Sequence, residues 1–286
     1  MTEFRFDTVT VLGSGTMGAG IAQVAATAGS RVWLVDTDVE AAHAARDRID
    51  GSLRKLADKG KVDVDAVDDI LARVHATDKR DAAVHESDVV VEAVPEDLAL
   101  KREIFADLAA HAPQHALLGT NTSSLSIGAI AEGCGAEQRV IGLHFFNPVP
   151  LMTLLEIVRG AATSDETVAA ARAFGERLDK QPILVKDMPG FATSRLGVLL
   201  GLEAIRMVEQ GVASAADIDK ALELGYRHPM GPLKLTDLVG LDVRLAIAEH
   251  LHRELGSAAF DPPALMREMV AAGKLGRKSG EGFYTY

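Results

Sequence analysis

A glycine-rich turn near the start of the chain constrains the fold more than any other stretch. It follows the β-branched run Thr8–Leu12 and precedes an apolar helical pattern, after which the strand-like run Arg31–Val35 closes at Asp36. The turn reads Gly13-Ser14-Gly15-Thr16-Met17-Gly18. A strand, a GxGxxG turn, a helix and an acidic residue about 20 positions further on together predict a βαβ unit that binds a dinucleotide.

Each glycine has its own task in such a turn. Gly13 permits the sharp bend, Gly15 lets the backbone approach a pyrophosphate, and Gly18 allows the helix to pack closely on the strand. The first helical residues, Thr16 and Met17, lie where free N–H groups face the phosphates. These five residues are therefore predicted to bind a cofactor. The alternative is a glycine turn without a ligand.

Asp36 predicts which dinucleotide is bound. A carboxylate at this position accepts the hydroxyls of the adenosine ribose and repels a 2′-phosphate. Asp38 and Glu40 follow, and no arginine stands just after Asp36. The sequence therefore favours NAD over NADP.

Polar residues follow the ends of several further predicted strands. Residues 87–94 and 116–119 are near-continuously apolar, as buried parallel strands should be. Ligands of open parallel sheets bind beyond the carboxyl ends of the strands, so a single site is predicted there. Its members are Gly13, Asp36, Glu96, Asn121, Ser123 and His144. For Ser123 and Ser124, capping of the following helix is the alternative function.

A histidine and a glutamate, His144 and Glu156, lie twelve residues apart at facing ends of a predicted strand–turn–strand. Glu156 is surrounded in sequence by leucine, isoleucine and valine, so its charge should be largely desolvated and should need a partner. If that partner is His144, the carboxylate fixes the imidazole tautomer and stabilises the imidazolium once the ring accepts a proton. The alternative is an ordinary core histidine and an unrelated glutamate.

The 286 residues are predicted to form two domains. Residues 1–186 should form an α/β, Rossmann-like, doubly wound and mostly parallel sheet. Residues 187–286 should form an all-α domain that serves substrate binding or dimerisation. Its helices are predicted at 193–210, 215–224, 232–238, 242–255 and 263–272. The helix at 193–210 is apolar on several faces, which favours a homodimer through this domain.

Two helices, at 40–59 and 64–74, are together too long for a simple crossover between parallel strands. We expect an inserted helical hairpin that stands off the first domain. It carries a basic cluster, Arg54, Lys55, Lys59 and Lys61, in an otherwise acidic chain. A solvated helix face is the simpler interpretation of this cluster, and contact with phosphates is the functional one.

Composition excludes several classes of function. A net charge of −11 argues against nucleic acid as the main partner. Cys134 is the single cysteine, which leaves no disulfide framework and no cysteine-based metal site, and we interpret it as an incidental thiol. No apolar run approaches the ~20 residues of a membrane span, and no signal-peptide pattern begins the sequence, so a cytoplasmic protein is expected.

Several stretches, in order along the chain, resemble the L-3-hydroxyacyl-CoA dehydrogenase family, particularly its short-chain bacterial 3-hydroxybutyryl-CoA dehydrogenases. They are the glycine turn, Val91-Glu-Ala-Val-Pro-Glu96, Asn121-Thr-Ser-Ser-Leu125, Leu143-His-Phe-Phe-Asn-Pro-Val-Pro150, Pro229-Met-Gly-Pro232 and Gly276-Arg-Lys-Ser-Gly-Glu-Gly-Phe-Tyr284. The segment from Leu143, together with Glu156 downstream, is the most specific of these.

The resemblance implies an NAD-dependent oxidoreductase that interconverts a (3S)-3-hydroxyacyl-CoA and a 3-ketoacyl-CoA. It implies that His144 is the general base, that Glu156 orients it, and that Ser123 contacts the reacting oxygen or the nicotinamide. It also implies a CoA contact at Ser52 and Lys59, which favours the functional interpretation of the basic hairpin. The predicted cofactor-binding set is Gly13, Gly15, Thr16, Met17, Gly18, Asp36, Glu96, Lys101, Asn121, Ser123, Asn147 and Lys278.

The chain departs from the family at Ser194, where the family usually has an asparagine just before the arginine that matches Arg195. That asparagine contacts the substrate, so Ser194 is the corresponding candidate for catalysis and substrate binding. A shorter hydroxyl stands there in place of an amide, and both the activity level and the acyl preference depend on it.

Three other functions are compatible with parts of the pattern. One is a CoA-independent dehydrogenase of a sugar acid such as L-gulonate, against which Ser52 and Lys59 argue. Another is a catalytically idle NAD-binding or structural relative, against which the intact pair of His144 and Glu156 argues. A dehydrogenase of imines or of 6-phosphogluconate would not account for the segment from Leu143 to Pro150.

Overall fold

The structure, a computed structural model, describes residues 4–286, and these form two compact units. The first unit ends at Asp187 and the second begins at Met188. None of the helices in the described residues is long and apolar enough to cross a membrane.

The described part of the first unit is built on one eight-stranded sheet. The strands are β1 Thr8–Leu12, β2 Arg31–Val35, β3 Val74–Thr77, β4 Val89–Glu92, β5 Leu117–Thr120, β6 Val140–Phe145, β7 Leu154–Arg159 and β8 Gln181–Lys186. Their order across the sheet is β3-β2-β1-β4-β5-β6-β7-β8, and β1 to β6 are parallel. Only the β6–β7 pairing is antiparallel. The predicted Rossmann-like sheet is confirmed.

Seven α-helices connect these strands in the described residues. They are α1 Thr16–Thr27, α2 Val39–Ala57, α3 Val67–Ala72, α4 Arg80–His85, α5 Leu98–His111, α6 Ile127–Ala131 and α7 Asp165–Arg177. Helix α4, with six residues, is too short for a helical period to be recognised in the sequence.

The helical hairpin formed by α2 and α3 is confirmed, but the expectation that it stands off the domain is wrong. Ile49, Leu53 and Ile70 are buried in the same apolar core as α1 and the sheet. The apolar positions of α2 recur every three or four residues, and this stripe is buried against the unit while the charged face stays in solvent. Val74, predicted as the last helical residue, instead begins β3.

The second unit has five α-helices in its described residues. They are α8 Thr193–Glu209, α9 Ala215–Gly225, α10 Pro232–Val239, α11 Leu241–Leu255 and α12 Ala264–Ala271. The predicted all-α domain is therefore confirmed.

The second unit has its own apolar core, which includes Leu202, Leu233 and Leu251. Two buried carboxylates supplement it. Asp219 accepts from the first-turn N–H of Leu233, and Asp237 accepts from the backbone N–H groups of residues 283 and 284. Asp219 thus caps α10, and Asp237 attaches the C-terminal tail. The hydrogen bonds that each aspartate accepts replace the hydration lost on burial.

Candidate active site

The antiparallel register of β6 and β7 places His144 directly opposite Glu156. The His144 Nδ1 lies 2.7 Å from the Glu156 Oε2, and the two residues are 6% and 0% exposed. The predicted hydrogen-bond reach is confirmed. Because Glu156 has no exposed surface, its charge requires hydrogen-bond donors, and the imidazole is one of them.

This contact fixes the chemistry of the imidazole ring. A carboxylate that accepts from Nδ1–H selects the tautomer in which Nε2 carries the lone pair. If Nε2 then takes a proton, the resulting imidazolium lies beside a buried negative charge. The pair can therefore act as a general base in one direction and as a general acid in the other.

His144 lies in a cavity of about 360 Å³ at the carboxyl ends of the parallel strands. Its lining includes Met17, Glu96, Asn121, Ser123, Phe146 and Asn147. The ring of Phe146 packs against the imidazole, with 4.5 Å between centroids. The Asn121 Oδ1 accepts from the backbone N–H of Phe145 at 3.0 Å, which holds the end of β6. Residues from four separate segments thus meet at one cavity, as the sheet topology predicts.

Glu96 organises the segment that carries Ser123. Its Oε1 accepts from the Thr122 Oγ1 at 2.5 Å and from the backbone N–H groups of Ser123 and Ser124 at 3.1 and 3.2 Å. Burial by itself would raise the pKa of Glu96, but the Thr122 hydroxyl, the nearby charge of Lys101 and the other donors together hold it below its ordinary value.

The alternative function of Ser123 and Ser124, helix capping, is wrong for both residues. The N-cap of α6 is Ser126, whose hydroxyl accepts from the Ala129 N–H. Ser123 is exposed beside His144, and Ser124 donates its hydroxyl to Glu96 at 3.0 Å.

Lys101 lies beneath this site rather than at its surface. It is 1% exposed, and its Nζ lies 2.6 Å from the Glu92 Oε1 and 3.3 Å from the Glu96 Oε2. Glu92, fully buried at the end of β4, also accepts from the Thr120 hydroxyl at 2.7 Å. We did not single out Glu92 from the sequence, although a carboxylate within a run of buried valines is a recognisable signal.

The glycine turn has the geometry of a phosphate cradle. Gly13 has a φ of +94° and packs against the Ala93 carbonyl. A Cβ at Gly18 would overlap the Gly13 carbonyl oxygen, so helix and strand approach as the motif requires. A Cβ at Gly15 would meet no atom within 4 Å, which leaves open space above the N-terminus of α1. Met17, in that first turn, also lines the cavity of His144.

Asp36 is oriented by a residue that sequence reasoning passed over, Ser14. The Asp36 Oδ2 accepts from the Ser14 N–H at 2.8 Å and from its hydroxyl at 2.6 Å. Burial alone would raise the pKa of Asp36, but the two Ser14 bonds, together with backbone bonds from Asp38 and Thr37, bring it below its ordinary value. Ser14 occupies a variable position of the GxGxxG pattern, so the motif itself assigns it no role.

A cavity of about 850 Å³ lies beside Asp36. Its lining includes Gly13, Asp36, Thr37, Val94 and Ile104. Val94 also lines the cavity of His144, so the two cavities adjoin along the carboxyl edge of the sheet. An open glycine cradle, a carboxylate at the end of β2 and an apolar-lined cavity are what an adenine dinucleotide requires.

The other predicted site residues lie apart from these cavities or in the second unit. Ser52 is half-buried on α2, and Lys59 is exposed just beyond the end of α2. Ser194 is half-buried in the first turn of α8. Lys278 forms an ion pair with Asp242 at 2.6 Å within the second unit.

Two protein-family models match the chain. The NAD-binding domain of 3-hydroxyacyl-CoA dehydrogenase matches residues 8–188, and the C-terminal domain of 3-hydroxyacyl-CoA dehydrogenase matches residues 190–286. The first match agrees with the cradle and with Asp36, and the cofactor is NAD.

Similar proteins carry consistent names. A probable 3-hydroxybutyryl-CoA dehydrogenase of Bacillus subtilis is 45% identical over 97% of this chain and 96% of its own. The mitochondrial hydroxyacyl-coenzyme A dehydrogenase of Homo sapiens is 42% identical over 97% of this chain and 90% of its own. The crystal structure of (S)-3-hydroxybutyryl-CoA dehydrogenase from Ralstonia eutropha is 41% identical, with a TM-score of 0.94 over 99% of both chains.

Proposed function

Since the chain belongs to the 3-hydroxyacyl-CoA dehydrogenase family, we propose that it interconverts (3S)-3-hydroxybutyryl-CoA and acetoacetyl-CoA with NAD. The observation that carries the proposal is the buried pair of His144 and Glu156 at the carboxyl edge of a dinucleotide-binding sheet. The pair provides a proton acceptor, and the adjoining cavities provide room for a cofactor and a small acyl group.

In the oxidative direction His144 Nε2 removes the proton from the 3-hydroxyl of the substrate. Glu156 holds the ring in the required tautomer and stabilises the imidazolium that results. The glycine turn and Asp36 would hold NAD, which would supply the acceptor for the hydride that leaves C3 as the alcohol becomes a ketone. In the reductive direction the imidazolium returns its proton to the forming alkoxide.

We assign the remaining residues as follows. The glycine turn would hold the pyrophosphate, and Asp36 the adenosine ribose. Ser123, exposed beside His144 and held by Glu96, would donate a hydrogen bond to the reacting oxygen. Asn147 lines the same cavity, where it would contact the cofactor.

The CoA moiety is assigned to α2 and the residues that follow it. Ser52 and Lys59 are accessible there, and a lysine ammonium suits the phosphates of CoA as a point charge. On the resemblance, we propose that Ser194 contacts the substrate and that Lys278 contacts the cofactor. For Ser194 this assignment rests on the resemblance and on its accessible position in α8.

We also propose a homodimer formed through the helical unit. Leu196 and Leu200, one turn apart on α8, are 61% and 43% exposed. Large apolar side chains exposed at helical spacing commonly mark a protein–protein interface. The single cysteine fits a reducing compartment such as the cytoplasm, where we place the protein.

The loss of NADH absorbance in the near ultraviolet, with acetoacetyl-CoA as substrate, tests the proposed function. Rapid loss with NADH and little with NADPH is expected. Rapid loss with NADPH alone would keep the reaction but contradict the role of Asp36. Oxidation of L-gulonate without turnover of acetoacetyl-CoA would replace the proposed substrate, and a protein that binds NADH but turns over neither substrate would be an idle relative.

A further inference from the structure

The loop between β6 and β7, residues 146–153, joins the two halves of the proposed catalytic pair. It leaves β6 directly after His144 and Phe145, carries Phe146 and Asn147 into the cavity of His144, and returns to β7 so that Glu156 faces His144. A shift of this loop would therefore move both Phe146 and Asn147 in the cavity of His144.

Lys180, the residue before β8, lies beneath this loop. It is 8% exposed, and its Nζ donates to the Val149 carbonyl oxygen at 2.7 Å and to the Met152 carbonyl oxygen at 2.9 Å. The next residue, Gln181, donates its backbone N–H to the Thr153 carbonyl oxygen at 2.7 Å. Residues 180 and 181 thus bind three carbonyl groups of one loop.

The Lys180 ammonium is buried against backbone carbonyl groups. Its Nζ contacts are to the carbonyl oxygens of Val149 and Met152. Burial lowers the pKa of Lys180, against the smaller, opposite effect of the Asp179 charge. A buried ammonium costs free energy that an apolar side chain of similar length would not. Hydrogen bonds to the two loop carbonyl groups offset part of this cost, so the polar contacts of Lys180 are made with the loop.

A second contact, with α1, holds the same loop. Val149 packs against Gly20 in α1, where a Cβ would lie only 2.8 Å from the valine Cβ. The Val149 side chain is therefore held by α1, the helix that opens at the glycine turn, while its carbonyl group is held by Lys180. The loop is fixed between the cofactor-binding helix and the start of β8.

We propose that Lys180 is a positioning residue for the dehydrogenase reaction, which binds the backbone of residues 149 and 152 and so keeps Phe146 and Asn147 against His144. The proposal rests on the proposed function. Lys180 is not among the residues that line the cavity of His144 or the cavity beside Asp36. Its effect is on the geometry of the proton transfer, for which a displacement of about 1 Å can cost about 100-fold in rate.

The test compares Lys180→Met with a matched control, Lys186→Met, at the exposed other end of β8. For K180M we expect kcat for acetoacetyl-CoA reduction to fall by about 10- to 100-fold, with the dissociation constant of NADH within about twofold of wild type. K186M should match wild type in both. Hydrogen exchange of the amides of residues 146–153 should accelerate in K180M, while exchange in β1 and α1 should not.

A lower melting temperature in K180M with unchanged kcat and unchanged loop exchange would overturn the proposal and leave Lys180 with a stabilising role only. If K180M does not fold, Lys180→Arg keeps the charge and the donors while changing their reach. It should show the same selective loss of kcat to a smaller degree, and unchanged kcat would overturn the proposal. Wild-type protein without turnover would refute the proposed function. The hydrogen exchange of residues 146–153 would still show whether Lys180 holds the loop.

Discussion

At the scale of single residues, the two carboxylates of the site, Glu156 and Asp36, differ in their exposure and in their hydrogen-bond donors. Glu156 has no exposed surface and lies against the imidazole of His144. Asp36 lies at the rim of a cavity and is oriented by two donors from one residue, Ser14. The first carboxylate is suited to hold a proton acceptor, and the second is suited to meet a ligand.

Replacement of His144 by alanine should abolish the positioned proton transfer without disturbing the dinucleotide cradle. We expect kcat to fall by about 10²- to 10⁴-fold, the usual contribution of a general base. The dissociation constant of NADH, measured by fluorescence, should remain near the wild-type value. His43→Ala, an exposed histidine on α2, serves as the control. A folded H144A with wild-type kcat would exclude His144 as the base.

Replacement of Ser14 by alanine should weaken the choice of NAD over NADP. The variant loses the 2.6 Å hydrogen bond from the Ser14 hydroxyl and keeps the bond from the backbone N–H. The orientation of the Asp36 carboxylate is therefore less restricted. We expect kcat/KM for NADH to fall by about three- to tenfold, since one hydrogen bond to a charged group is removed. The value for NADPH should change less. Parallel loss with both cofactors would show that Ser14 shapes the turn rather than the carboxylate.

At the scale of secondary-structure elements, the site depends on bonds between loops that follow neighbouring strands. Glu96, after β4, binds the segment that follows β5, and Lys101 of α5 lies beneath both Glu92 and Glu96. The resemblance implies that Lys101 lines the cofactor site. Its burial shows instead that its contacts are to the two carboxylates, so it supports the loops that form that site.

The hydrogen bonds that Glu96 accepts from residues 122–124 should make the stability of the fold depend on pH. The pKa of Glu96 is lower in the folded chain than its ordinary value of 4.5, because the donors favour its charged form. Its stabilising contribution is therefore present above that value and is lost as the pH falls through the folded pKa.

We expect the melting temperature of wild type to fall more steeply with acid than that of Glu96→Gln, between about pH 6 and about pH 3. Circular dichroism on both proteins measures this difference. Glu176→Gln, at an exposed glutamate of α7, should follow the wild-type curve. If the melting temperatures of E96Q and wild type fell in parallel with pH, the hydrogen bonds of Glu96 would contribute nothing to the pH dependence of stability.

At the scale of the whole molecule, the proposed homodimer would join the helical units of two chains. Leu196→Asp would put a charge into the exposed apolar face of α8. We expect this variant to sediment as a monomer, because burying an unpaired carboxylate at an interface costs several kcal/mol. Val64→Asp, at an apolar residue that is 70% exposed in the first unit, should sediment as wild type does. A dimeric L196D would exclude this face as the interface.

Much of this molecule follows from local pattern. The strand before Gly13 and the all-helical second unit could be predicted because periodicity, turn chemistry and capping act over a few neighbouring residues. The facing positions of His144 and Glu156 could be predicted for a related reason. A strand–turn–strand brings its two ends together whatever surrounds it.

Only the tertiary structure decided which side chains from distant segments support the site and what lies beneath it. The bonds from Ser14 to Asp36, from Lys101 to Glu92, and from Lys180 to the loop before β7 join segments whose separation in sequence carries no pairing signal. The packing of the helical hairpin was decided in the same way. An apolar stripe requires a partner surface, but its pattern does not specify which one, since burial is non-directional and many surfaces satisfy it.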